Sequence, residues 1–399
     1  MTDTLAVGIQ ADDLTGACDT GGVFAARGLE TLVLFAEVPM PTPPPAVLVL
    51  DTESRGLLAA EARARARDAA CRLAASRPAV LYKKVDSTLR GALAAEVAGA
   101  LAGAGLSSAI LAPAFPAQRR TVVDGALLID SRPADETPLA RDPRFPATGA
   151  SVLVLVGVEG PHPVGLLPLA TVRQGPHAVT ARLARGLAVL VCDAETDADL
   201  AVLAAATAGR PTLLAGSAGF ATAVARRLGG DTTPATPRLP RPLLVVAGSA
   251  HPATQIQIER LEARGVGSVR LGSGTEASDV WAPDGTDWIL TTAAEPIDVP
   301  PGGREAMAAR LAAAARRLVA DDAQTSAPRY GTLFLAGGET AVAVCRALGA
   351  TGIALAGELA PGLPLGHLRD GPFAGLAVVT KAGGFGDPET LVRVWEAPV

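Results

Sequence analysis

Short runs of β-branched and aliphatic residues alternate with alanine-rich helical stretches along this chain, and few folds accommodate that order. Leu5–Gln10, Thr31–Ala36, Val47–Asp51, Ala79–Lys83 and Ser108–Ala112 have the length and side chains of buried strands. Leu57–Ala75 and Ala92–Ala102, between them, have the length and composition of helices. Such alternation is the pattern of βαβ units around a parallel sheet. Ser151–Val158 and Leu187–Asp193 read as further strands, and Pro39–Pro45 and Arg141–Pro146 as surface loops.

The alternation breaks once. Residues 229–242 are proline-rich and without periodicity, as expected of an interdomain linker. Beyond them the pattern restarts, with strands at Leu243–Gly248, Ser268–Leu271, Trp288–Thr292, Thr332–Ala336 and Leu376–Thr380. Helices are expected at Pro252–Arg264, Arg304–Ala320 and Thr340–Leu348. At 399 residues the chain is too long for one ordinary domain. The expected architecture is therefore α/β with two domains, 1–230 and 241–399. Each has a mainly parallel sheet flanked by helices, and the active site is expected in the cleft between them.

Composition narrows the function. A net charge of −5 argues against a protein that coats nucleic-acid phosphates. Apolar runs are of strand length, short of the roughly 20 residues needed to span a bilayer. The four cysteines stand far apart without CxxC, so neither a disulfide framework nor a cysteine zinc site is indicated. The first residues lack a basic, then apolar, leader, and a cytoplasmic protein is expected. Lysine is scarce: of 35 Lys plus Arg only Lys83, Lys84 and Lys381 are lysine. Where arginine is the default cation, each surviving lysine draws notice.

In parallel α/β sheets, ligands gather where strands end and helices begin. After the first strand stands ADDLTGACDTG, in which Asp12 and Asp13 suit a general base and a ligand for hydroxyls or a metal. The plainer alternative is one helix cap and one solvated carboxylate. After the fourth strand, KKVDSTLRG brings Lys83, Lys84, Asp86, Ser87 and Arg90 to another junction, suited to an anionic ligand. Arg119, in APAFPAQRRTVVDG, extends that basic character, although a solvated pair is the default for adjacent arginines.

The second half has glycine where the first has charge. VVAGSAHPATQ carries Ser249, LAGGETA carries Gly337, Gly338, Glu339, Thr340 and Ala341, and TKAGGFGD carries Lys381, Gly383 and Gly384. Glycines admit a phosphate close to the backbone and helix N-termini supply donors. Each turn alone is also compatible with a plain tight connection. Neither GxxxxGK[ST] nor GxGxxG occurs, which excludes a Walker loop and counts against a NAD-dependent oxidoreductase. GELAPGLPLG, Gly357–Gly366, reads as a rigid loop near a base or ribose.

In this order the motifs resemble the four-carbon acid sugar kinase family. The resemblance rests on ADDLTGA, KKVDSTLRG, APAFPAQRRTVVDG and LLAGSAGFA, then VVAGSAHPATQIQ, GGETA, GELAPGLP and KAGGFG. It covers nearly the whole chain and says least about 133–185. It implies an N-terminal sugar-acid domain, a C-terminal nucleotide domain, and transfer of the ATP γ-phosphoryl group to the C4 hydroxyl of threonate, erythronate or 3-oxotetronate. Asp12 or Asp13 would then be the base, while Lys83, Lys84, Asp86, Ser87, Arg90 and Arg119 hold the acid. Ser249, the Gly337–Ala341 turn, Lys381, Gly383 and Gly384 would hold ATP, with Mg²⁺ whose protein ligands are not legible. A non-catalytic sensor of sugar acid or nucleotide is the rival reading, and a homo-oligomer is left open.

Overall fold

The structure, a computed structural model, describes residues 4–137, 149–157, 162–186, 188–229, 238–272, 277, 280–292, 303–320 and 328–397. The expected loop at 141–146 and residues 230–237 of the expected linker lie outside the described residues. Two compact units emerge: one comprises 1–31 and 35–233, the other 32–34 and 234–399.

The first unit opens with β1 (Val7–Ala11), α1 (Leu14–Ala25), β2 (Thr31–Phe35) and β3 (Val47–Asp51). There follow α2 (Ala59–Ala75), β4 (Val80–Lys84), α3 (Leu93–Ala104) and β5 (Ala109–Ala112). A small antiparallel sheet comes next, from β6 (Arg120–Val123), β7 (Ala126–Ile129) and β8 (Arg132–Pro133). The unit closes with α4 (Val152–Gly157), β9 (Val164–Leu167), α5 (Leu169–Val172), α6 (Pro176–Leu183), β10 (Val189–Cys192), α7 (Asp197–Ala206), β11 (Leu213–Gly216) and α8 (Ala218–Gly229). The large sheet runs β3-β1-β4-β11-β5-β10-β9, every pair parallel. The chain leaves β1 for β3 on one side and returns to β4 on the other, so β1 marks the switch point at which ligands bind.

The second unit holds β12 (Leu243–Ala247), α9 (Pro252–Glu262), β13 (Gly267–Leu271), β14 (Trp288–Thr292) and α10 (Gly303–Val319). It continues with β15 (Thr332–Ala336), α11 (Gly338–Ala347), β16 (Gly352–Ala360), β17 (Leu363–Arg369), β18 (Ala377–Lys381) and α12 (Thr390–Trp395). Its order is β13-β14-β12-β15-β18, all parallel, followed by the antiparallel β17 and β16. Here β12 is the switch point, with β14 and β15 on its two sides.

Two expectations are corrected. The apolar run at 151–158 is helical over Val152–Gly157, not a strand. Val152 and Val156 are buried while Val154 between them is 59% exposed, an i, i+4 face that a run of valines and leucines does not reveal by periodicity. The string Gly357–Gly366 is a β-hairpin, not a loop: β16 and β17 pair through it, with Glu358 opposite Pro364. Its prolines are tolerated because the ladder is irregular there, with register shifts at Leu355/Gly357 and Glu358/Ala360.

The contact of α2 with α3 depends on glycine. A Cβ at Gly99 would lie 2.3 Å from the Arg63 carbonyl oxygen, and one at Gly103 would lie 2.0 Å from that of Arg67. Glycine inside an exposed helix costs about 1 kcal/mol relative to alanine, but here backbone stands where the methyl would go. Gly103→Ala is expected to lower stability by about 1–3 kcal/mol, the range for overpacking, reversing the usual sign of a helix Gly→Ala change. Denaturant unfolding of the two proteins checks this.

Candidate functional site

At the switch point of the first unit, the loops after β1, β3 and β4 meet. Asp13 is the N-cap of α1, accepting from the Gly16 amide at 2.9 Å and the Thr15 hydroxyl at 2.7 Å. Arg55, four residues beyond β3, forks across both carboxylates of the acid pair. Its Nε and Nη2 reach Asp12 Oδ2 and Oδ1 at 2.7 and 2.8 Å, and its Nη1 and Nη2 reach Asp13 Oδ2 and Oδ1 at 2.7 Å each. The Asp12 carbonyl also accepts the Ser54 and Arg55 amides. Burial works to raise the Asp12 carboxyl, but Arg55, with Lys83 and Lys84, outweighs it and holds the group below its ordinary value.

The lysines divide. Lys83 is fully buried, its ammonium 3.0 Å from Glu96 Oε2 on α3, and Glu96 also accepts from the Ser54 hydroxyl. Lys83, expected to hold the acid, is thus the counterion of a core carboxylate. Lys84 donates to the Val85 carbonyl at 2.9 Å, and a Cβ added at Gly16 would come within 3.2 Å of its Nζ. Lys84 thus lies against the first turn of α1.

Asp86 is held by Arg90 through Nε at 2.6 Å and Nη2 at 3.2 Å, with Thr88 as a further donor. Burial opposes ionisation, yet Arg90, then Arg55 and Lys84, hold its carboxyl well below the usual carboxylate range. Ser87 is buried and accepts from Arg120. Arg119, expected to hold the acid, has a side chain that is 81% exposed and pairs with Asp130 at 2.8 Å. Arg119 caps a 3₁₀ turn in the left-handed conformation and β6 starts at the next residue, so it is Arg120 that turns toward Ser87.

Arg55, Glu96 and Asp19 are neighbours in this cluster that the motifs did not single out, whereas Arg120 stands beside Arg119 in APAFPAQRRTVVDG. Arg55 had one signal, its place in TESRG just past a strand end. Asp19, on α1, has an oxygen, Oδ1, that is buried without a hydrogen-bond partner. Burial raises its carboxyl to about 6, with Lys84 and Arg120 pulling down and Asp13 pushing up.

In the second unit the three glycine turns converge. A Cβ on Gly248 would strike Thr340 Oγ1 at 2.2 Å, one on Gly383 would strike Ser249 Oγ at 2.2 Å, and one on Gly384 would lie 3.2 Å from His251 Nε2. Gly337 has φ +105°, which favours glycine, and faces Ser249 at 3.5 Å. The amides of Gly338, Glu339 and Thr340 precede the first helical bond of α11, which the Ala341 amide makes to Gly337. The Ala341 amide is therefore committed to its helix, and the residue is buried. His251 caps α9 through Nδ1, which accepts from Ala253 at 3.2 Å.

Lys381 is fully buried. Its ammonium donates to Thr254 Oγ1 at 3.1 Å and to the carbonyls of Ala382, Gly383 and Phe385 at 3.1–3.3 Å. It braces the turn from within rather than presenting a surface charge, and burial lowers it to about 7. Among the described residues, no group of three or more His, Cys, Asp or Glu is arranged to hold a metal ion, and no helix is long and apolar enough to cross a membrane.

Residues 7–224 match a family model described as a sugar-binding N-terminal domain, and 244–391 one described as a nucleotide-binding C-terminal domain. A D-threonate kinase of Bordetella bronchiseptica is 36% identical, covering 98% of this chain and 97% of its own. A D-erythronate kinase of Heliobacterium modesticaldum is 31% identical over 96% and 94% of the two chains, and a 3-oxo-tetronate kinase of Methylobacterium radiotolerans 31% over 98% of each. A solved Haemophilus influenzae structure shares the fold, with TM-score 0.72 at 23% identity over 98% of this chain and 99% of that one. A Bordetella bronchiseptica structure with bound citrate, a domain-swapped dimer, has TM-score 0.51 at 34% identity, over 98% and 97%.

Removing Arg55 would leave Asp12 buried without its counter-charge. Arg55→Met is expected to cost about 3–5 kcal/mol, as for breaking one side of a buried ion pair. Because the native carboxyls of Asp12 and Asp86 lie below 3.8, their stabilisation is complete above that value and is lost as pH falls. The Arg55→Met deficit should therefore shrink toward acid, as urea unfolding from pH 7 to pH 3 checks.

Proposed function

This chain belongs to the four-carbon acid sugar kinase family, and from that premise we propose that it transfers the γ-phosphoryl group of ATP to the C4 hydroxyl of D-threonate, D-erythronate or 3-oxotetronate. It is a sugar-acid kinase enzyme; the regiochemistry and the identity of the acid are the proposal. One observation carries it. The switch point of the first unit gathers cations and carboxylates suited to a hydroxy acid, while that of the second gathers glycine turns and helix N-termini suited to phosphates.

In the first unit, Lys84, Arg90 and Arg120 supply the positive field for the substrate carboxylate. Asp13, the more exposed member of its pair, Asp86 and Ser87 meet the hydroxyls, while Asp12 and Lys83 hold Arg55 and the loop after β3 from beneath. The citrate held by the Bordetella relative is also a hydroxy acid, which supports acid recognition by this family.

In the second unit, the fit to a nucleotide rests on space that a Cβ would fill. Gly248, Gly337, Gly383 and Gly384 keep the backbone bare where Ser249 and the Gly338–Thr340 amides converge. ATP supplies the phosphoryl group. Lys381 keeps the Gly383 turn in shape, and Glu339 stands exposed at the start of α11. Mg²⁺, which kinases use to neutralise phosphate charge, arrives with the nucleotide, its ligands mostly phosphate and water. A domain-swapped relative supports assembly into a homo-oligomer.

A coupled ADP-release assay over D-threonate, L-threonate, D-erythronate and 3-oxotetronate is expected to show turnover of at least one acid. No release with any of them would favour the sensor reading. Gly383→Ala is expected to weaken ATP by tenfold or more, about 1.4 kcal/mol, because its methyl meets Ser249. Titration calorimetry should find sugar-acid affinity within about twofold of the parent.

A further inference from the structure

We propose that Asp19, and not the Asp12–Asp13 pair, takes the proton of the acceptor hydroxyl. The inference rests on the kinase reading above and deepens it. Proton abstraction needs a carboxylate oxygen that the protein has not already satisfied, near cations that hold the substrate, with a basicity matched to the working pH.

The acid pair fails the first condition. Both oxygens of Asp12 and both of Asp13 accept from Arg55, and Asp13 also takes the Gly16 amide and the Thr15 hydroxyl. Asp86 is engaged in the same way by Arg90 and Thr88. A carboxylate tied to a guanidinium is a weak base, and the low values of Asp12 and Asp86 express it. Asp51 also has an oxygen without a partner, but the leading charges acting on it are the acidic Glu53, Asp13 and Asp12. It has no cation to bring a substrate.

Asp19 meets all three conditions. It lies one helical turn beyond Gly16, whose missing Cβ opens α1 toward Asp13, Lys84 and Arg55. Its Oδ1 accepts no hydrogen bond. The titratable and charged groups facing it are Asp13 from α1 itself, Tyr82 and Lys84 from β4, and Arg120 from β6. Two cations therefore act on a carboxylate whose Oδ1 neither of them caps. Raised to about 6, it is ionised at neutral pH yet more basic than Asp12 and Asp86, whose carboxyls the arginines hold low.

In the step, the C4 oxygen forms its bond to the γ-phosphorus while its proton passes to the Asp19 carboxylate. The bond from that phosphorus to the β–γ bridging oxygen breaks, and its electron pair leaves with ADP. Asp19 then returns the proton to solvent.

The test compares Asp19→Asn with the parent on whichever acid the ADP-release screen identifies. Turnover by the parent establishes the kinase reading on its own, so a failure of Asp19 is separable from a failure of that reading. Asp19→Asn is expected to lower kcat by about 10²–10⁴-fold, to leave the calorimetric affinity for the acid within a few-fold, and to abolish the acidic limb of kcat near pH 6. A kcat within tenfold of the parent overturns the proposal. So does a limb that persists unchanged, since that limb would belong to the nucleotide, or a loss confined to acid affinity, since Asp19 would then only bind. If Asp19→Asn does not fold, Asp19→Glu carries the test. It keeps a displaced carboxylate, so kcat should fall while the limb remains, and an unchanged kcat rejects the role.

Discussion

The fork of Arg55 across Asp12 and Asp13 is the interaction on which the first unit's site depends. Two adjacent carboxylates at a strand end repel each other, and one of them is buried. A guanidinium offers enough planar donors to satisfy both at once. It is delivered by topology: β1 and β3 pair in parallel with Ala11 opposite Asp51, so the loops leaving them emerge together. The backbone seals the arrangement, since the Asp12 carbonyl accepts from Ser54 and Arg55. A Cβ added at Gly91, which has φ +91°, would lie 3.5 Å from both Asp12 Oδ2 and the Arg55 carbonyl oxygen, so the loop after β4 comes close to the same pair. With the pair held by Arg55, Asp13 caps α1, and the charges acting on Asp19 are Lys84 and Arg120 against Asp13.

The two units solve a common topological problem with different chemistry. Each has its candidate site where the chain departs to opposite sides of one strand, β1 in the first and β12 in the second. A hydroxy acid is small and polar, and must be told from its stereoisomers by directed side chains; the first unit supplies charged and hydroxyl groups. A triphosphate is recognised through backbone donors and close approach; the second unit supplies bare glycine and the first-turn amides of α11. Phosphoryl transfer asks chiefly for positioning and neutralisation of charge, and these are the two kinds of surface it needs.

What was legible in the sequence was whatever repeats or interrupts a period. Strands β1 to β5, β10, β12 to β15 and β18 announced themselves as apolar runs, and the charged or glycine-rich strings at their ends marked the candidate sites. Side-chain direction was not legible. Arg119 and Arg120 are adjacent and chemically equal, and only the left-handed residue before β6 decides which one turns inward. Arg55 was invisible among 32 arginines because its partners lie more than 40 positions away. The hairpin of β16 and β17 was masked by Pro361 and Pro364, which argue against a regular strand but not against an irregular one.

The three lysines mark where composition carried structural meaning and where it misled. All are buried, at 0%, 4% and 0% exposure for Lys83, Lys84 and Lys381. Each ammonium meets compact acceptors: Glu96 for Lys83, the Val85 carbonyl for Lys84, and a hydroxyl with three carbonyls for Lys381. A guanidinium in those positions would need more volume and leave some of its five donors unmet. Burial alone is thus enough to favour lysine at these positions against an arginine-rich background. Lys83 and Lys381 stand one layer behind the surfaces they shape, and only Lys84, against Gly16 and facing Asp19, is set among the groups that would meet the acid.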